Sequence, residues 1–487
     1  MRAGVQRGVV AAGHPATVAA AAEVLERGGN AFDAAVAAGF AASIAEPGLS
    51  SLAGGGFLLA RTADGEEILF DFFVDTPGRG RAPHDGAGEF TPVTVRFGGA
   101  DQIFNVGAGA IAVPGCLPGY LHVLGRLGRL STAEVLTPAR RLAAQGVRLG
   151  EEQLAVVRLL EAIFTLRPEG RARYAPAGQL IDADTSVAHP DLAAFLDQLA
   201  VGACGGFADD DLAAAIAEQV AAEGGRLTVE DLRGYEVIER TPLRARYRDA
   251  VIVTNPPPSF GGTIITAALA ALDDGAGPTP TPASLSARLP RFVEVFDTLT
   301  RAHANGQLRT SRGTTHVSVA DVDGNVAAMT TSNGSCSGVF LAGTGIMANN
   351  IMGEADLHPG GFHRAPPGVR VGSMMAPTLL QRPDAADVVL GSGGSERIRS
   401  ALTQVIGHLV DTRLELAAAI TAPRVHWDGR VLQAEPDVDA AALASLAPTW
   451  PVNQWTVSDL YFGGVHAVTT DGAAAGDPRR GGTVASV

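Results

Sequence analysis

One threonine in this chain is placed where an unusual chemistry is open to it. The run Gly313-Thr314-Thr315-His316-Val317-Ser318-Val319-Ala320-Asp321-Val322-Asp323-Gly324-Asn325 starts abruptly with paired threonines after the polar, turn-like Thr310-Ser311-Arg312. Val317, Val319 and Val326 alternate with His316, Ser318 and Asn325, the period-2 pattern of a strand with one buried face. Asp323-Gly324-Asn325 is a hairpin turn into a second strand, Val326–Thr331, which runs on into the hydroxyl-rich Ser332-Asn333-Gly334-Ser335. If the Gly313–Thr314 bond is cut, Thr314 becomes an N-terminus whose free α-amine can act as base for its own hydroxyl. The bland alternative is a buried hairpin headed by an ordinary threonine.

A second feature has the matching electrophilic chemistry. Val388-Val389-Leu390-Gly391-Ser392-Gly393-Gly394-Ser395 reads as a strand feeding a glycine pair at the start of a helix over 396–411. Paired backbone N–H groups at a helix N-terminus can cradle an oxyanion. The same turn would also suit a phosphate, or be turn chemistry alone.

The elements that must position these residues have clear local signals. Gly8–Ala12 is a short apolar strand, and His14-Pro15-Ala16-Thr17 starts a helix through Glu26 with Gly28-Gly29 as its stop. Asn30 is a natural N-cap for a helix over 31–45, with Asp33 in the first turn. Gly54-Gly55-Gly56 permits close backbone approach ahead of a core strand. Helices are predicted over 119–127, 132–146, 150–165 and 209–223, and Thr228 with Asp231 forms a capping box. Ala250–Thr254 is a strand, and Gly261-Gly262 opens a helix to Leu272. Residues 273–313 read as a loop, 343–350 as strand-like, and 353–369 as a Gly/Pro/His-rich loop over the cleft.

These segments together resemble the γ-glutamyltranspeptidase family, a branch of the N-terminal nucleophile hydrolases. The resemblance runs from about residue 8 to 487 through separated motifs in the right order: Gly28-Gly29-Asn30-Ala31-Phe32-Asp33, Glu46-Pro47, Gly54-Gly55-Gly56, Asn255-Pro256-Pro257-Pro258-Ser259-Phe260-Gly261-Gly262, Thr314-Thr315-His316, Gly391–Gly394 and Asp477-Pro478-Arg479-Arg480-Gly481-Gly482. It implies an α/β, four-layer αββα fold and a precursor that cuts itself before Thr314. The products would be a large fragment, 1–313, and a small one, 314–487, which stay associated as one αββα domain. It further implies Thr314 as nucleophile, Gly393 and Gly394 as the oxyanion hole, Ser332 at the family's second-threonine position orienting Thr314, and Asn333 as a substrate contact. His316 is expected to be structural.

The substrate-binding shell departs from the family pattern. Where the family carries an arginine that grips the substrate's α-carboxylate, this chain has Phe73, in Asp71-Phe72-Phe73-Val74. A phenyl ring cannot replace a bidentate, charge-assisted Arg–carboxylate pair; Arg364 or Arg397 could supply a cation from elsewhere. The amine-binding Asn-Asn-Gln-x-x-Asp becomes Asn349-Asn350-Ile351-Met352-Gly353-Glu354, and the family's paired serines become Gly372-Ser373. The expectation is an amide hydrolase or acyltransferase on a small molecule, with a non-glutamyl acyl group. Hydrolysis of an activated carbon–carbon bond in a keto acid, or a catalytically silent binding protein, are the alternatives.

Composition sets the outer limits. The 487 residues carry 46% hydrophobic side chains, ample for a large core, and a net charge of −14 with no basic patch, which argues against nucleic acid. The three cysteines are far apart with no CxxC, which argues for a reduced compartment and against a zinc site, and no cofactor fingerprint is present. No apolar run reaches the ~18–20 residues of a membrane span. With no signal-like start, the sequence reads as cytoplasmic and is compatible with a homodimer.

Overall fold

The structure is a computed structural model that describes residues 7–81, 88–97, 100–273, 283–303, 313–358 and 360–487. In chain order, the central elements are β1 (Gly8–Ala12), α1 (Pro15–Glu26), α2 (Ala31–Ala45), β2 (Gly55–Arg61), β3 (Glu67–Phe72), β4 (Ile238–Arg240), β5 (Leu243–Tyr247), β6 (Ala250–Thr254) and α3 (Phe260–Leu272). Then follow β7 (Thr314–Asp321), β8 (Val326–Ser332), β9 (Thr378–Gln381), β10 (Val388–Gly393), α4 (Arg397–Val410), β11 (Gly464–Thr469), β12 (Ala474–Ala475) and β13 (Thr483–Ser486).

The strands form two stacked antiparallel sheets. The first is seven-stranded, in the order β13-β1-β7-β8-β2-β3-β4; the second is six-stranded, β12-β11-β10-β9-β6-β5. α1 and α2 cover the outer face of the first sheet, and α3 and α4 that of the second. This is the expected layering of helix, sheet, sheet, helix. α2 starts where its cap dictates: Asn30 Oδ1 accepts from the Phe32 and Asp33 amides at 3.0 Å, and Asp33 Oδ2 accepts from the Asn30 amide at 2.9 Å.

The central hairpin differs from its expected half-exposed state. All eight residues of β7 are buried. Val317 and Val319 pack toward α2 with Val10, Leu58 and Met329. The opposite face lies against the second sheet, where Ala320, Val9 and Phe57 share a core with Leu379, Val389 and Val465. His316 and Ser318 are therefore interior groups, and they satisfy each other. His316 Nδ1 is 2.7 Å from Thr330 Oγ1, Nε2 is 2.9 Å from Ser318 Oγ, and Ser318 Oγ donates to His466 O. Burial drives the His316 pKa far down, so the ring is neutral. Gly391 faces it across the sheets, where a Cβ would overlap the imidazole.

Three other expectations change. The expected loop over 273–313 contains a helix, Ala283–His303, whose Leu289, Phe292, Val293 and Phe296 pack with Val425, Trp427 and Leu443 in a separate small core; the polar run 310–312 falls outside the described residues. The expected helix over 150–165 is two, Gly150–Leu159 and Glu161–Phe164. Residues 343–350 form no strand beyond a Phe340–Met347 bridge, because Gly343 and Gly345 turn through positive φ (71° and 66°).

Candidate active site

The Gly313–Thr314 peptide is clamped at the mouth of β7. Thr314 pairs directly with Ser332, the last residue of β8. Ser332 Oγ donates a hydrogen bond to the Gly313 carbonyl, the carbonyl of the bond that would break, and accepts from the Gly334 amide at 3.0 Å. Gly313 has no room for a side chain: a Cβ would lie 2.7 Å from Gly48 O and would overlap Gly334 O. Gly54 and Gly56 keep β2 close enough to β8 to hold this end rigid, since a Cβ on either would run into the backbone of Ser332 or Thr330. Behind Thr314, Glu46 is fully buried. It accepts from Thr315 Oγ1 at 2.6 Å and from Thr17 Oγ1 at 2.7 Å, and burial pushes its carboxyl above the usual range.

The glycine pair stands against the same residue. Gly393 ends β10, and a Cβ there would overlap the Thr314 carbonyl oxygen. Gly394 and Ser395 follow at φ 116° and 51°, and the chain turns into α4. Arg480 completes this corner: Nη1 donates to Thr314 O at 3.0 Å and Nη2 to Leu460 O at 3.3 Å.

A cleft opens beside Thr314 between the two sheets. Its walls are Phe73, Thr314, Ser332, Glu354, Leu357, Ser373, Met374, Met375, Ser395 and Ile398. The fold thus brings Thr314, Ser332, Phe73, Glu354 and Ser373 together, with the Gly393-Gly394 turn alongside. Two other expected contacts point elsewhere. Asn333 is fully buried and its Nδ2 donates to Cys336 Sγ at 3.4 Å; Ile351 belongs to the core between the sheets.

The cleft wall carries no cation among the described residues. Phe73 stacks on Phe57, with ring centroids 5.7 Å apart and planes 19° from parallel. Arg370 lies behind it, donating to Phe73 O and, at 2.6 Å each, to Tyr235 Oη and Glu236 O; its charge is met by Asp75 at 3.1 Å and Asp71 at 3.6 Å. Arg397 donates to Tyr461 O and lies 5.0 Å over that ring, and Arg364 is exposed on its loop. Acidic groups are nearer. Glu354 lines the wall, and Ser395 Oγ donates to Asp356 at 3.1 Å; burial, then Glu396, raise the Asp356 pKa well above the usual carboxylate range.

Sequence reasoning assigned no role to Glu46 or Arg480. Both lie in motifs that carried the resemblance, Glu46-Pro47 and Asp477–Gly482, so the signal was present. What was missing was contact with the threonine pair, Glu46 with Thr315 and Arg480 with Thr314, which only the fold supplies.

Comparison with known proteins places this geometry. The family described as Gamma-glutamyltranspeptidase matches residues 17–298 and 286–487, and the chain belongs to that family. The Acylase ACY 1 proenzyme of Pseudomonas sp. (strain SE83) is 33% identical over 90% of this chain and 86% of its own length. The Glutathione hydrolase proenzyme of Escherichia coli (strain K12) is 26% identical over 86% of this chain and 81% of its own. Among solved structures, cephalosporin acylase from Bacillus halodurans superposes with a TM-score of 0.82, covering 100% of this chain and 97% of that one at 23% identity. The fold is the αββα fold of the N-terminal nucleophile hydrolases.

Proposed function

We propose that this protein is a self-cleaving precursor whose mature form hydrolyses, or transfers the acyl group of, a small-molecule amide through an acyl-enzyme on Thr314. The observation that carries this is the clamped Gly313–Thr314 peptide. Its carbonyl accepts the Ser332 hydroxyl, and the Gly393-Gly394 turn abuts its threonine. In the precursor, Thr314 Oγ attacks the Gly313 carbonyl carbon while Ser332 supports the oxygen that gains charge. The peptide nitrogen leaves as the Thr314 amine, and water hydrolyses the resulting ester. In the mature enzyme that α-amine takes the proton from Oγ, Oγ attacks the substrate carbonyl, and the Gly393 and Gly394 amides hold the oxyanion. The amine leaving group departs protonated, and water or an acceptor amine resolves the ester. The fragments 1–313 and 314–487 remain one body because both contribute strands to both sheets. The proenzyme names of the relatives support the same reading.

The cleft supports a non-glutamyl acyl group. Its wall offers Phe73, Leu357, Met374, Met375 and Ile398 where a carboxylate would need a cation. The cytoplasmic placement stays part of the proposal and is supported by three free, buried cysteines. Cleavage is tested by expressing wild type and Thr314→Ala. Wild type should give two bands on a denaturing gel, the smaller beginning at Thr314, and the variant one full-length band. A wild-type protein that stays intact yet active, or that is cut elsewhere, would show the reading to be wrong.

A further inference from the structure

The C-terminal corner of the site holds three buried arginines, and they are not treated alike. Arg424 pairs with Asp477 at 2.7 Å, and Arg479 with Asp477 at 3.1 Å and with Glu435. Arg480 has no carboxylate within ion-pair distance among the described residues; it donates to two backbone carbonyls, those of Thr314 and Leu460. It is 6% exposed, and burial lowers its pKa to about 10. Burial disfavours this cation, and the carboxylates that act on it, Asp477, Asp459 and Glu46, lie beyond ion-pair distance and offset that only in part, so such a charge calls for a use. Its place suggests one. Besides the Thr314 contact, its Nη1 and Nη2 lie 3.0 Å and 3.1 Å from where Cβ atoms on Gly393 and Gly394 would stand.

We propose that Arg480 is a positioning residue whose charge keeps the freed Thr314 α-amine unprotonated near neutral pH, so that the amine is ready to act as base. This rests on Thr314 becoming an N-terminus. An ammonium there would face a fixed like charge held against its own residue's carbonyl. The other groups facing Thr314 do not cancel that charge. On β7, His316 is neutral. From the end of α2, Glu46 is pushed toward its protonated form and is bridged by two hydroxyls. From the second sheet, burial lowers the His466 pKa to about 4. Asp477 is shared by Arg424 and Arg479. From α4 and the loop above it come Arg397, the Glu396–Arg399 pair and the protonation-prone Asp356, while Glu354 lies on the cleft wall and Asp459 beyond Leu460. The same charge also favours the oxyanion beside Gly393 and Gly394.

The chain makes the test unusually direct. All 37 Lys+Arg positions are arginine, so no lysine among these 487 residues competes with the Thr314 amine for label after cleavage. Mature enzyme is labelled with a limiting amine-reactive ester between about pH 5 and 9, and the Thr314 peptide is quantified by mass spectrometry. The expected midpoint lies about one unit or more below the ordinary α-amine value of ~7.7–8.0. The acid limb of kcat/KM should fall at the same pH. Arg480→Met should move both upward together, whereas Arg480→Lys, which keeps the charge, should move them little. A wild-type midpoint of 8 or above overturns the proposal even if neither variant folds. So does an Arg480→Met enzyme whose midpoint and pH limb match wild type. A lower plateau with an unmoved limb would mark Arg480 as structural. Absence of any Thr314-terminal peptide would overturn the cleavage reading itself, and this proposal with it.

Discussion

Removing the Ser332 hydroxyl should separate folding from self-cleavage. That hydroxyl accepts from the Gly334 amide at 3.0 Å and donates to the Gly313 carbonyl, the oxygen that would become negative in the proposed attack by Thr314 Oγ. It is a preorganised donor, 7% exposed, already aligned before reaction. Loss of one such donor slows acyl transfer about 100- to 1,000-fold, or roughly 2.7–4 kcal/mol of barrier. Ser332→Ala also strands the Gly334 amide, at a stability cost of about 1–3 kcal/mol, which a large domain tolerates and which circular dichroism with a thermal melt would register. The assay is a time course of freshly refolded precursor on a denaturing gel, fitted as a first-order loss of the full-length band. Because the rate is read on folded protein, the stability loss does not enter it. Ser332→Thr keeps the hydroxyl and should cleave near the wild-type rate. If Ser332→Ala cleaves within about threefold of wild type while folded, the hydroxyl does not support the oxyanion and the reasoning fails.

Three further outcomes follow from the packing around the cleft. Gly391→Ala drives a methyl group into the His316 ring between the sheets and should lose about 1–3 kcal/mol with the Thr314 geometry otherwise kept, read as a lowered melting temperature in protein that still cleaves. On processed enzyme, γ-glutamyl-p-nitroanilide should be a poor substrate beside anilides of uncharged or aromatic acids, because an unpartnered carboxylate in this wall costs several kcal/mol and each ~1.4 kcal/mol is tenfold. Phe73→Arg should not reverse that preference, since it breaks the stack on Phe57 and sets a second guanidinium next to Arg370. Efficient glutamyl turnover by either enzyme would count against the apolar reading.

What could be read before folding was whatever is encoded locally. Asn30 and Asp33 announce α2 within three residues, and the structure starts the helix there. Thr314, Ser332, Phe73, Glu354 and Ser373 were legible through motifs and do converge on one cleft. The hairpin's second buried face was not legible. His316 and Ser318 look like solvent-facing residues until a second sheet arrives with Gly391 and His466. The Ala283–His303 helix has the spacing of an amphipathic helix at Leu289, Phe292, Val293 and Phe296, but Pro290 and the Gly/Pro/Thr run before it mask that pattern. Arg480 was hidden by distance: it meets Thr314 across 166 residues of chain. Asn333 and Ile351 show the converse, since neighbours of cleft residues in sequence turn to Cys336 and to the core in space.

The strand order of the first sheet has a consequence for how such a protein can be made. β7 and β8 lie between β1 and β2, so the hairpin that begins at Thr314 plugs a gap between strands from the other side of the proposed cut. Supplied as separate polypeptides, residues 1–313 would present β1 and β2 with raw hydrogen-bonding edges, and residues 314–487 would present a bare hairpin. Both are templates for mispairing and aggregation. The continuous precursor avoids this by keeping the hairpin tethered until it is seated. The proposed scission would then be safe if it came last, and two genes encoding the halves would be a poor substitute for one that encodes the whole.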